Sequence, residues 1–481
     1  MKHLNWAIMP ALVALAIISA SCAKDNGKGG GGGGGGASCE LSATIPNFAA
    51  AVFSNPTTIN NTYLPFTPGV TNIYRAETED GLETIVVETL NTTRVVNGVT
   101  CVVVRDTVYL DDLVIEDTYD WYAQDDAGNV WYMGEEVTNY EYDDDDNLIG
   151  TNTGGSWEAG LDILSTGSPA IAGIIMPGTP VVNDTYYLEY YLTEAEDLMR
   201  IEALNVPIIL ADGRTFNCLQ VLECNPLEED THEYKFYAPG IGIVREESIA
   251  DGEFVEHRAT YTIGPAGVPN YGAAVFSNPT TINNPMFPLM PGTSWNYVAD
   301  TEDGTELIVV DVLASTRVVD GVLCTEVRDR VYLDGRLIED TLDWYAQDDA
   351  GNVWYMGEIV VNYVYDEVTG LLLSTNNGGS WETNVMGALP GYQMPAVPTA
   401  GASYHQEYWA GEATDAGFVL RTDASVILTN NNSYTNCLQT VDWNPLDPTG
   451  LEYKFYAAGV GMIMEVEVDG EEVVELTIMT P

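Results

Sequence analysis

One stretch of sixteen residues occurs twice in this chain without a single change. It reads Asp-Trp-Tyr-Ala-Gln-Asp-Asp-Ala-Gly-Asn-Val-Trp-Tyr-Met-Gly-Glu, at Asp120–Glu135 and again at Asp343–Glu358. Two aromatic pairs flank a short polar segment. Aromatic residues favour strands, whereas Asp, Gly and Asn favour turns. The stretch therefore predicts a β-hairpin whose turn lies at Asp125–Asn129.

Further matched blocks lie about 220 residues apart and extend the duplication over most of the chain. Ala50–Asn61 recurs at Ala273–Asn284, and Glu233–Ala238 recurs as Glu452–Ala457 with the same six residues. Solenoid repeats have periods of only about 20–50 residues, so this spacing indicates duplication of a whole domain. The predicted domains are a first repeat at residues 48–263 and a second repeat at residues 270–481, joined by a linker at residues 264–269.

Turn signals divide each repeat into short segments that are rich in β-branched and aromatic residues. Asp-Gly and Asn-Gly pairs supply the positive φ angles that tight hairpins need. Helix-period stretches with capping residues are scarce, so successive strands are expected to pair with their neighbours. The predicted fold class is all-β, with two tandem duplicated domains, each a curved antiparallel meander sheet or half-open barrel.

The N-terminus resembles a bacterial lipoprotein signal peptide. A short basic start precedes the apolar segment Ala7–Ile18, and small residues lead to Cys22. The resemblance implies removal of residues 1–21 and attachment of lipid chains, palmitate among them, to Cys22. A plain secretory signal is the alternative. Residues 22–47 then form the lipidated N-terminus and a linker containing the glycine run Gly29–Gly36, a flexible tether.

These features predict a bacterial cell-envelope protein held at the outer membrane through its N-terminal lipid. The short segment Ala23–Asn26 resembles the tags that direct Bacteroidetes lipoproteins to the cell surface. Exposure of the anchored protein on the cell surface is therefore one of the locations that the sequence allows. The membrane face and the oligomeric state stay open.

Acidic residues dominate the composition, with 72 Asp and Glu against 17 Lys and Arg and a formal net charge of −55. The number of basic side chains is too small to neutralise the phosphates of a nucleic acid. No nucleic-acid partner is therefore predicted. The charge favours solubility and draws cations toward the surface.

Seven cysteines are present, and four of them recur between the repeats. An exported compartment permits disulfides. We predict one bridge in each repeat, between Cys101 and Cys218 and between Cys324 and Cys437, with buried thiols as the alternative. Cys39 and Cys224 are left over; a bridge between them would join the end of the linker to the first repeat, and whether they pair stays open.

No shared catalytic or metal motif is visible. None of the histidines that follow the signal segment recurs at an equivalent position, which excludes a His-based site common to both repeats. Recurring acids such as Glu189 with Glu407 and Asp197 with Asp415 offer paired carboxylates for glycoside hydrolysis. The acidic runs Asp125–Asp126 and Asp143–Asp146 offer oxygen ligands for calcium, or simply turns. The predictions are no catalytic residue, no metal site and no cofactor.

Large aromatic side chains recur more regularly than any other candidate ligand-binding group. They either fill the two cores or line a groove for an apolar or sugar ligand. The ligand-binding residues predicted on the second interpretation are Trp121, Trp131, Trp157, Trp344, Trp354 and Trp381.

The duplicated hairpin and the repeat endings Tyr237–Val244 and Tyr456–Gly461 resemble uncharacterised bacterial secreted and lipoprotein domains. These domains are similar to the TapB-like group of unknown function, whose fold is like the open β-barrel of the LolA and LolB lipoprotein carriers. The second copy has Ala458 where the first has Pro239. The resemblance implies an open barrel and a cavity for an apolar ligand, and it brings no catalytic residue.

The function predicted from the sequence is therefore non-enzymatic binding at the cell envelope, of an apolar molecule, a glycan or another envelope protein. One alternative is a structural or adhesive surface protein that uses acidic loops and divalent cations. The other is a hydrolase that uses paired carboxylates.

Overall fold

Antiparallel β-strands make up most of the described chain in the computed structural model. The structure describes Cys39 and residues 41–78, 80–143, 146–227, 232–262, 267–301, 303–366, 369–468 and 472–480. The predicted signal peptide, the lipidation site Cys22, the glycine run and residues 264–266 of the predicted linker lie outside the described residues. No helix in the described part of the chain has the length and apolarity to cross a bilayer.

The chain divides into two compact units, residues 1–258 and residues 259–481. Short 3₁₀ turns at Phe48–Ala50 and Tyr271–Ala273 occupy equivalent positions in the two repeats. The strands of the first repeat are β1 (Ile59–Asn60), β2 (Pro65–Phe66), β3 (Val70–Thr78), β4 (Gly81–Val96), β5 (Val99–Leu110), β6 (Leu113–Gln124), β7 (Val130–Tyr142), β8 (Leu148–Asn152), β9 (Trp157–Glu158), β10 (Ile171–Met176), β11 (Thr185–Tyr187), β12 (Glu189–Tyr190), β13 (Leu198–Ile209), β14 (Thr215–Cys224), β15 (Glu233–Ala238), β16 (Gly242–Ser248) and β17 (Phe254–Thr262).

The second repeat follows the same order of strands. They are β18 (Ile282–Asn284), β19 (Phe287–Leu289), β20 (Ser294–Thr301), β21 (Gly304–Val319), β22 (Val322–Leu333), β23 (Arg336–Gln347), β24 (Val353–Tyr365), β25 (Leu372–Asn376), β26 (Trp381–Glu382), β27 (Leu389–Met394), β28 (Ser403–His405), β29 (Glu407–Tyr408), β30 (Ala416–Ile427), β31 (Ser433–Asn444), β32 (Asp447–Ala457), β33 (Gly461–Glu467) and β34 (Val473–Thr480).

Each repeat forms one 15-stranded sheet plus a separate two-stranded hairpin, β1–β2 or β18–β19. The first sheet runs β11-β13-β14-β15-β16-β17-β3-β4-β5-β6-β7-β10-β12, with β8 and β9 also paired to β7. Its terminal strands β11 and β12 are separated along the chain only by Leu188. The two ends of the strand path therefore come together, and the sheet curls into a half-open barrel. The second sheet repeats this order, which confirms the predicted fold class.

The duplicated stretch forms the predicted hairpin in both repeats. In the first, Gln124 pairs with Val130 across the turn. The Asp125 carboxylate accepts hydrogen bonds from the backbone N–H groups of Ala127 and Asn129, both at 2.9 Å. Gly128 has a φ of +86°, a conformation that favours glycine. The hairpin prediction is confirmed, and Asp125 organises the turn by bonding the backbone within it.

The four recurring cysteines do not form the predicted bridges. Cys101, Cys218, Cys324 and Cys437 are buried free thiols, so we correct that prediction. Five strands separate β5, which carries Cys101, from β14, which carries Cys218. Adjacent strands are about 4.8 Å apart and a disulfide needs Cα atoms within about 7 Å. These thiols therefore pack in different apolar clusters instead of meeting.

Cys39 and Cys224 form a disulfide in the first repeat, with Cα atoms 5.7 Å apart and a sequence separation of 185 residues. The bridge fastens the segment before the first 3₁₀ turn to the end of β14. Trp443 stands in place of Cys224 in the second repeat, so this bridge belongs to the first repeat alone.

Reducing this bridge is expected to lower the stability of the first repeat by about 2–4 kcal/mol, because the bridge removes conformations from the unfolded chain. Urea unfolding followed by tryptophan fluorescence, with and without dithiothreitol, measures the change. A double C39S/C224S variant should match the reduced protein and no longer respond to reductant. Identical curves for the oxidised and reduced wild-type protein would contradict the prediction.

Candidate functional site

Charged side chains point into the interior of both barrels from the same strands. On β15, alternate residues Glu233, Lys235 and Tyr237 lie on one face, since successive strand residues point to opposite faces. Glu452, Lys454 and Tyr456 take the same positions on β32. The motif repeated between the two domains therefore places one lysine inside each barrel.

Lys235 is surrounded by three carboxylates in the first repeat. Its Nζ lies 2.8 Å from Glu223 Oε2, 3.1 Å from Glu233 Oε1 and 3.4 Å from Glu246 Oε2. Only 2% of the lysine side chain is exposed. Although burial disfavours its charge, these carboxylates raise the pKa of Lys235 well above its ordinary value. The amine of Lys235 is therefore positively charged and forms ion pairs with all three carboxylates.

Lys454 repeats this arrangement in the second repeat with more exposure. Its Nζ lies 3.2 Å from Glu452 Oε2, 3.3 Å from Glu465 Oε2 and 3.8 Å from Asp442 Oδ2. The exposed fraction of the lysine side chain is 23%, as against 2% for Lys235. The interior of the second repeat is therefore more open than that of the first.

A second group of carboxyls lies on the duplicated hairpin and its neighbours. In the first repeat, burial raises the pKa of Asp120 to about 7 and that of Glu189 to about 8. Burial and the nearby Asp120 also raise the pKa of Glu135 well above its ordinary value. The Tyr132 hydroxyl donates a hydrogen bond to Asp120 Oδ1 at 2.7 Å. These groups hold protons near neutral pH.

The equivalent carboxyls of the second repeat behave in the same way. Burial raises the pKa of Asp343 to about 8 and that of Glu358 to about 7, and burial together with Asp415 raises the pKa of Glu407 well above its ordinary value. The Tyr355 hydroxyl donates to Asp343 Oδ1 at 2.8 Å. The duplication has thus kept a network of proton-holding carboxyls in both barrels.

The interior of the first barrel contains a column of stacked rings. Phe66 stacks on Tyr122 with ring centroids 4.6 Å apart, and Tyr122 stacks on Tyr132 at 5.0 Å. Ile85 and Val108, on strands β4 and β5, are fully buried beside them. These contacts give the first repeat a continuous apolar core.

The second barrel contains a cavity of about 290 Å³. Small-molecule sites are typically concave, mostly apolar and provided with a few polar groups, with volumes from roughly 300 Å³ upward. This cavity has that character and lies at the lower end of that range. Its lining combines aromatic and aliphatic side chains with charged ones, among them Trp295, Tyr297, Asp329, Asp343, Lys454 and Glu465.

Two substitutions between the repeats rearrange the packing beside the cavity. Leu289 takes the position of Phe66 and Phe287 that of Leu64, so a ring packs edge-on against Tyr345 at 5.4 Å where Phe66 stacks on Tyr122 at 4.6 Å. Ile308 and Val331 take the positions of Ile85 and Val108 and are only partly buried. An apolar residue that lacks a packing partner on one side leaves space inside the barrel.

The six tryptophans predicted to contact a ligand all lie in the cores. The two tryptophans at equivalent positions of the repeats make the same kind of contact. Trp131 packs edge-on against Phe48 at 5.5 Å, and its indole N–H donates to Asp125 Oδ2 at 2.9 Å. Trp354 donates to Asp348 Oδ2 in the second repeat, also at 2.9 Å.

The other four predicted tryptophans are equally enclosed. The guanidinium of Arg94 lies 3.8 Å from the ring centre of Trp121, and Arg317 covers Trp344 at 3.9 Å. The rings of Trp157 and Trp381 pack edge-on against Tyr132 and Tyr355, with centroids 5.2 and 5.4 Å apart. None of the six lines the cavity described above. We therefore correct their predicted role, since their exposed fractions are at most 4% and a ligand cannot reach buried rings.

The acidic groups proposed for calcium also find other partners. Asp125 bonds its own turn, and Asp126 accepts hydrogen bonds from Ser54. Residues 144 and 145 of the second acidic run lie outside the described residues. Within the part of the chain that the structure describes, no group of three or more metal-ligating side chains is arranged to hold an ion.

Sequence reasoning missed the residues that line the cavity. Trp295 has no aromatic counterpart, because the first repeat has Asn72 at that position. Lys454 did carry a signal, since a lysine that alternates with Tyr456 on an otherwise apolar strand is expected to face the interior. The recurrence of that lysine in a chain with only 17 basic residues strengthens the signal.

Comparisons with known proteins add little to this geometry. No protein-family model matches the chain, and no curated protein matches it. One solved structure, described as a candidate lipoprotein from Parabacteroides distasonis, matches 40% of this chain and 98% of its own length. The identity is 11% and the TM-score is 0.23. A likeness with this TM-score carries no conclusion about fold or function.

Proposed function

We propose that this chain is a lipid-anchored protein of the bacterial cell envelope that binds a small ligand, without catalysis, inside the half-open barrel of its second repeat. The observation that carries the proposal is the cavity of about 290 Å³ in the second repeat, where the first repeat has packed side chains. The first repeat then serves as a rigid partner domain whose interior is already filled.

The envelope location rests on the sequence pattern before Cys22. Lipid chains on Cys22 would hold the protein at the outer membrane, because each buried methylene contributes roughly 0.8 kcal/mol and stable anchoring needs more than one chain. The linker in residues 22–47 would carry the two repeats away from the lipid surface. A ligand that is present in the envelope could then reach the cavity.

A hydrolase is the second candidate, because carboxyls with a raised pKa are a common feature of acid catalysts. Burial raises the pKa of Asp343 to about 8 and that of Glu358 to about 7. Only Asp343 of these two lines the cavity. The equivalent carboxyls Asp120 and Glu135 are buried in the first barrel, with only 2% of each residue exposed. A role in the interior network therefore accounts for the recurrence better than catalysis does.

Native mass spectrometry of the full-length protein, released from detergent micelles, tests the binding role. We expect one small bound molecule per chain. The variant Leu289→Phe restores the residue of the first repeat and should fill the cavity, so it should lose the bound mass. The reciprocal variant Phe66→Leu changes only the first repeat and should keep it.

A wild-type protein that carries no bound molecule in any of several detergents would count against binding. Retention of the same bound mass by Leu289→Phe would place the ligand elsewhere in the chain.

A further inference from the structure

The lining of the cavity includes two aspartates on neighbouring strands. Asp343 on β23 pairs in register with Val327 on β22, and Asp329 lies two residues further along β22 on the same face. Diagonal neighbours of this kind lie roughly 7–8 Å apart. Both aspartates line the cavity.

Within the part of the chain that the structure describes, the cations near this pair form ion pairs with other carboxylates. Lys454, the lysine of the cavity, is already held by Asp442, Glu452 and Glu465 at 3.2–3.8 Å. The nearby Arg330 forms an ion pair with Asp311. Neither aspartate of the cavity therefore has an ion-pair partner among the described residues.

The groups that act on the two aspartates are themselves mostly acidic. Burial, followed by the neighbouring carboxyls Asp343 and Glu339, raises the pKa of Asp329 well above its ordinary value. Burial and Glu358 raise the pKa of Asp343, and the hydrogen bond from Tyr355 opposes them. The empty site therefore holds protons that a positively charged ligand would replace.

Asp329 also has an acceptor atom without a partner. Its Oδ1 is buried and forms no hydrogen bond with any described residue. A buried polar atom left in this way costs free energy, and most such atoms in folded proteins are satisfied by a group or a ligand. A hydrogen-bond donor placed in the cavity would give Asp329 Oδ1 the partner that it lacks.

Aromatic side chains form the walls beside the two aspartates. The Trp295 indole N–H donates to the carbonyl of Val460 at 2.8 Å, and the Tyr297 hydroxyl donates to that of Met462 at 3.1 Å. These bonds hold the two rings in place and use up their polar atoms. Rings of this kind provide apolar contact area and attract cations.

We propose that the cavity of the second repeat binds a small amphipathic amine, with its ammonium group held between Asp329 and Asp343 and its apolar body against Trp295 and Tyr297. The inference rests on the proposed binding function and names the class of ligand. It assigns the two carboxylates to charge recognition and leaves Lys454 as part of the barrel. The first repeat keeps the equivalent acids Asp106 and Asp120, where a continuous apolar core surrounds the stacked rings of Tyr122 and Tyr132.

Isothermal titration of the full-length protein with phenethylamine, phenethyl alcohol and 3-phenylpropionate tests the ligand class. The three probes share an aromatic body and differ in charge. The amine should bind at least tenfold more tightly than the alcohol, and the carboxylate should bind most weakly. The variants Asp329→Asn and Asp343→Asn should each weaken amine binding at least tenfold. Asp106→Asn is the matched control in the first repeat and should leave amine binding unchanged.

The outcomes separate the two proposals. Equal affinity for amine and alcohol, or full amine affinity in Asp329→Asn, would overturn the amine assignment and leave the binding function standing. Binding of none of the three probes, together with a bare mass in the native spectrum, would overturn both. Circular dichroism of each variant shows whether a loss of binding reflects a loss of folding. Retained amine affinity in a folded Asp343→Asn protein would remove that residue from the site.

Discussion

Replacing Lys235 with methionine is expected to destabilise the first repeat by about 3–5 kcal/mol at neutral pH. The substitution removes the cation from a buried cluster in which Glu223 and Glu246 lie within 3.4 Å of the lysine amine. Breaking a buried ion pair by removing one partner costs this much because the remaining charge is left uncompensated in a medium of low polarity. Methionine keeps the length and most of the volume of the side chain, so a packing defect contributes little.

The matched variant Lys454→Met should cost less, since 23% of that lysine side chain is exposed and water screens its carboxylates. Urea unfolding measured by fluorescence gives both values. The loss in Lys235→Met should shrink at pH 5, because Glu223 and Glu246 have raised pKa values and take up protons more readily once the lysine is gone. A loss below about 1 kcal/mol at pH 7 would mean that the carboxyls around Lys235 are neutral in the folded protein.

The second large effect concerns the pH dependence of stability. We expect the protein to be more stable at pH 5 than at pH 8. Burial raises the pKa of Asp120 and Glu358 to about 7, and that of Glu189 and Asp343 to about 8. In the unfolded chain the pKa of an aspartate or glutamate is about 4. Between these values the folded state holds protons that the unfolded state has lost.

The sign of the effect follows from proton linkage. Stability falls with rising pH wherever the folded state binds more protons than the unfolded state, so the contribution of these carboxyls is complete below about pH 4 and lost as pH rises through about 7–8. Each buried carboxyl contributes a slope of roughly 1 kcal/mol per pH unit within that window. The opposite sign holds for Asp340, whose pKa is lowered by its hydrogen bond to Arg328, and that contribution is lost in acid. Stability should therefore be greatest near pH 4–5.

Surface repulsion acts in the same direction, because the net charge of −55 becomes more negative as pH rises. Sodium chloride at 1 M shortens the screening length to about 3 Å and removes most of the surface contribution, but not that of the buried groups. Unfolding curves from pH 5 to pH 8 at that salt concentration isolate the buried carboxyls. Asp120→Asn and Asp343→Asn should each flatten the slope, whereas Asp126→Asn, which changes an exposed turn, should not. A melting temperature that is independent of pH at high salt would refute the assignment.

The sequence predicts the secondary structure and the duplication well, since both can be recognised from the residue patterns of short segments. The hairpin at Asp120–Glu135 needs only flanking aromatic strands and a turn rich in Asp, Gly and Asn. The meander follows from turn signals at short intervals, because consecutive strands pair most readily with their neighbours. The pairing of Cys39 with Cys224 was among the pairings that the cysteine count left open.

Partners that are distant in the sheet could not be read from the sequence. Cys101 and Cys218 both recur in the second repeat, but this recurrence does not show whether the two thiols are in contact. Five intervening strands keep them apart. The recurring tryptophans pose the same problem, because a ring that fills a core and a ring that lines a groove leave the same trace in a sequence.

The sequence by itself determines that this chain folds as two copies of one antiparallel meander, because strand periodicity and turn chemistry act between residues that are close along the chain. Only the tertiary structure decides which of the duplicated acids face the barrel interior, since a register shift of one residue turns a side chain to the opposite face. It also decides that one copy is packed and the other open. That difference depends on how a phenylalanine packs against a tyrosine from a distant strand, since Phe66 stacks on Tyr122 whereas Phe287 meets Tyr345 edge-on.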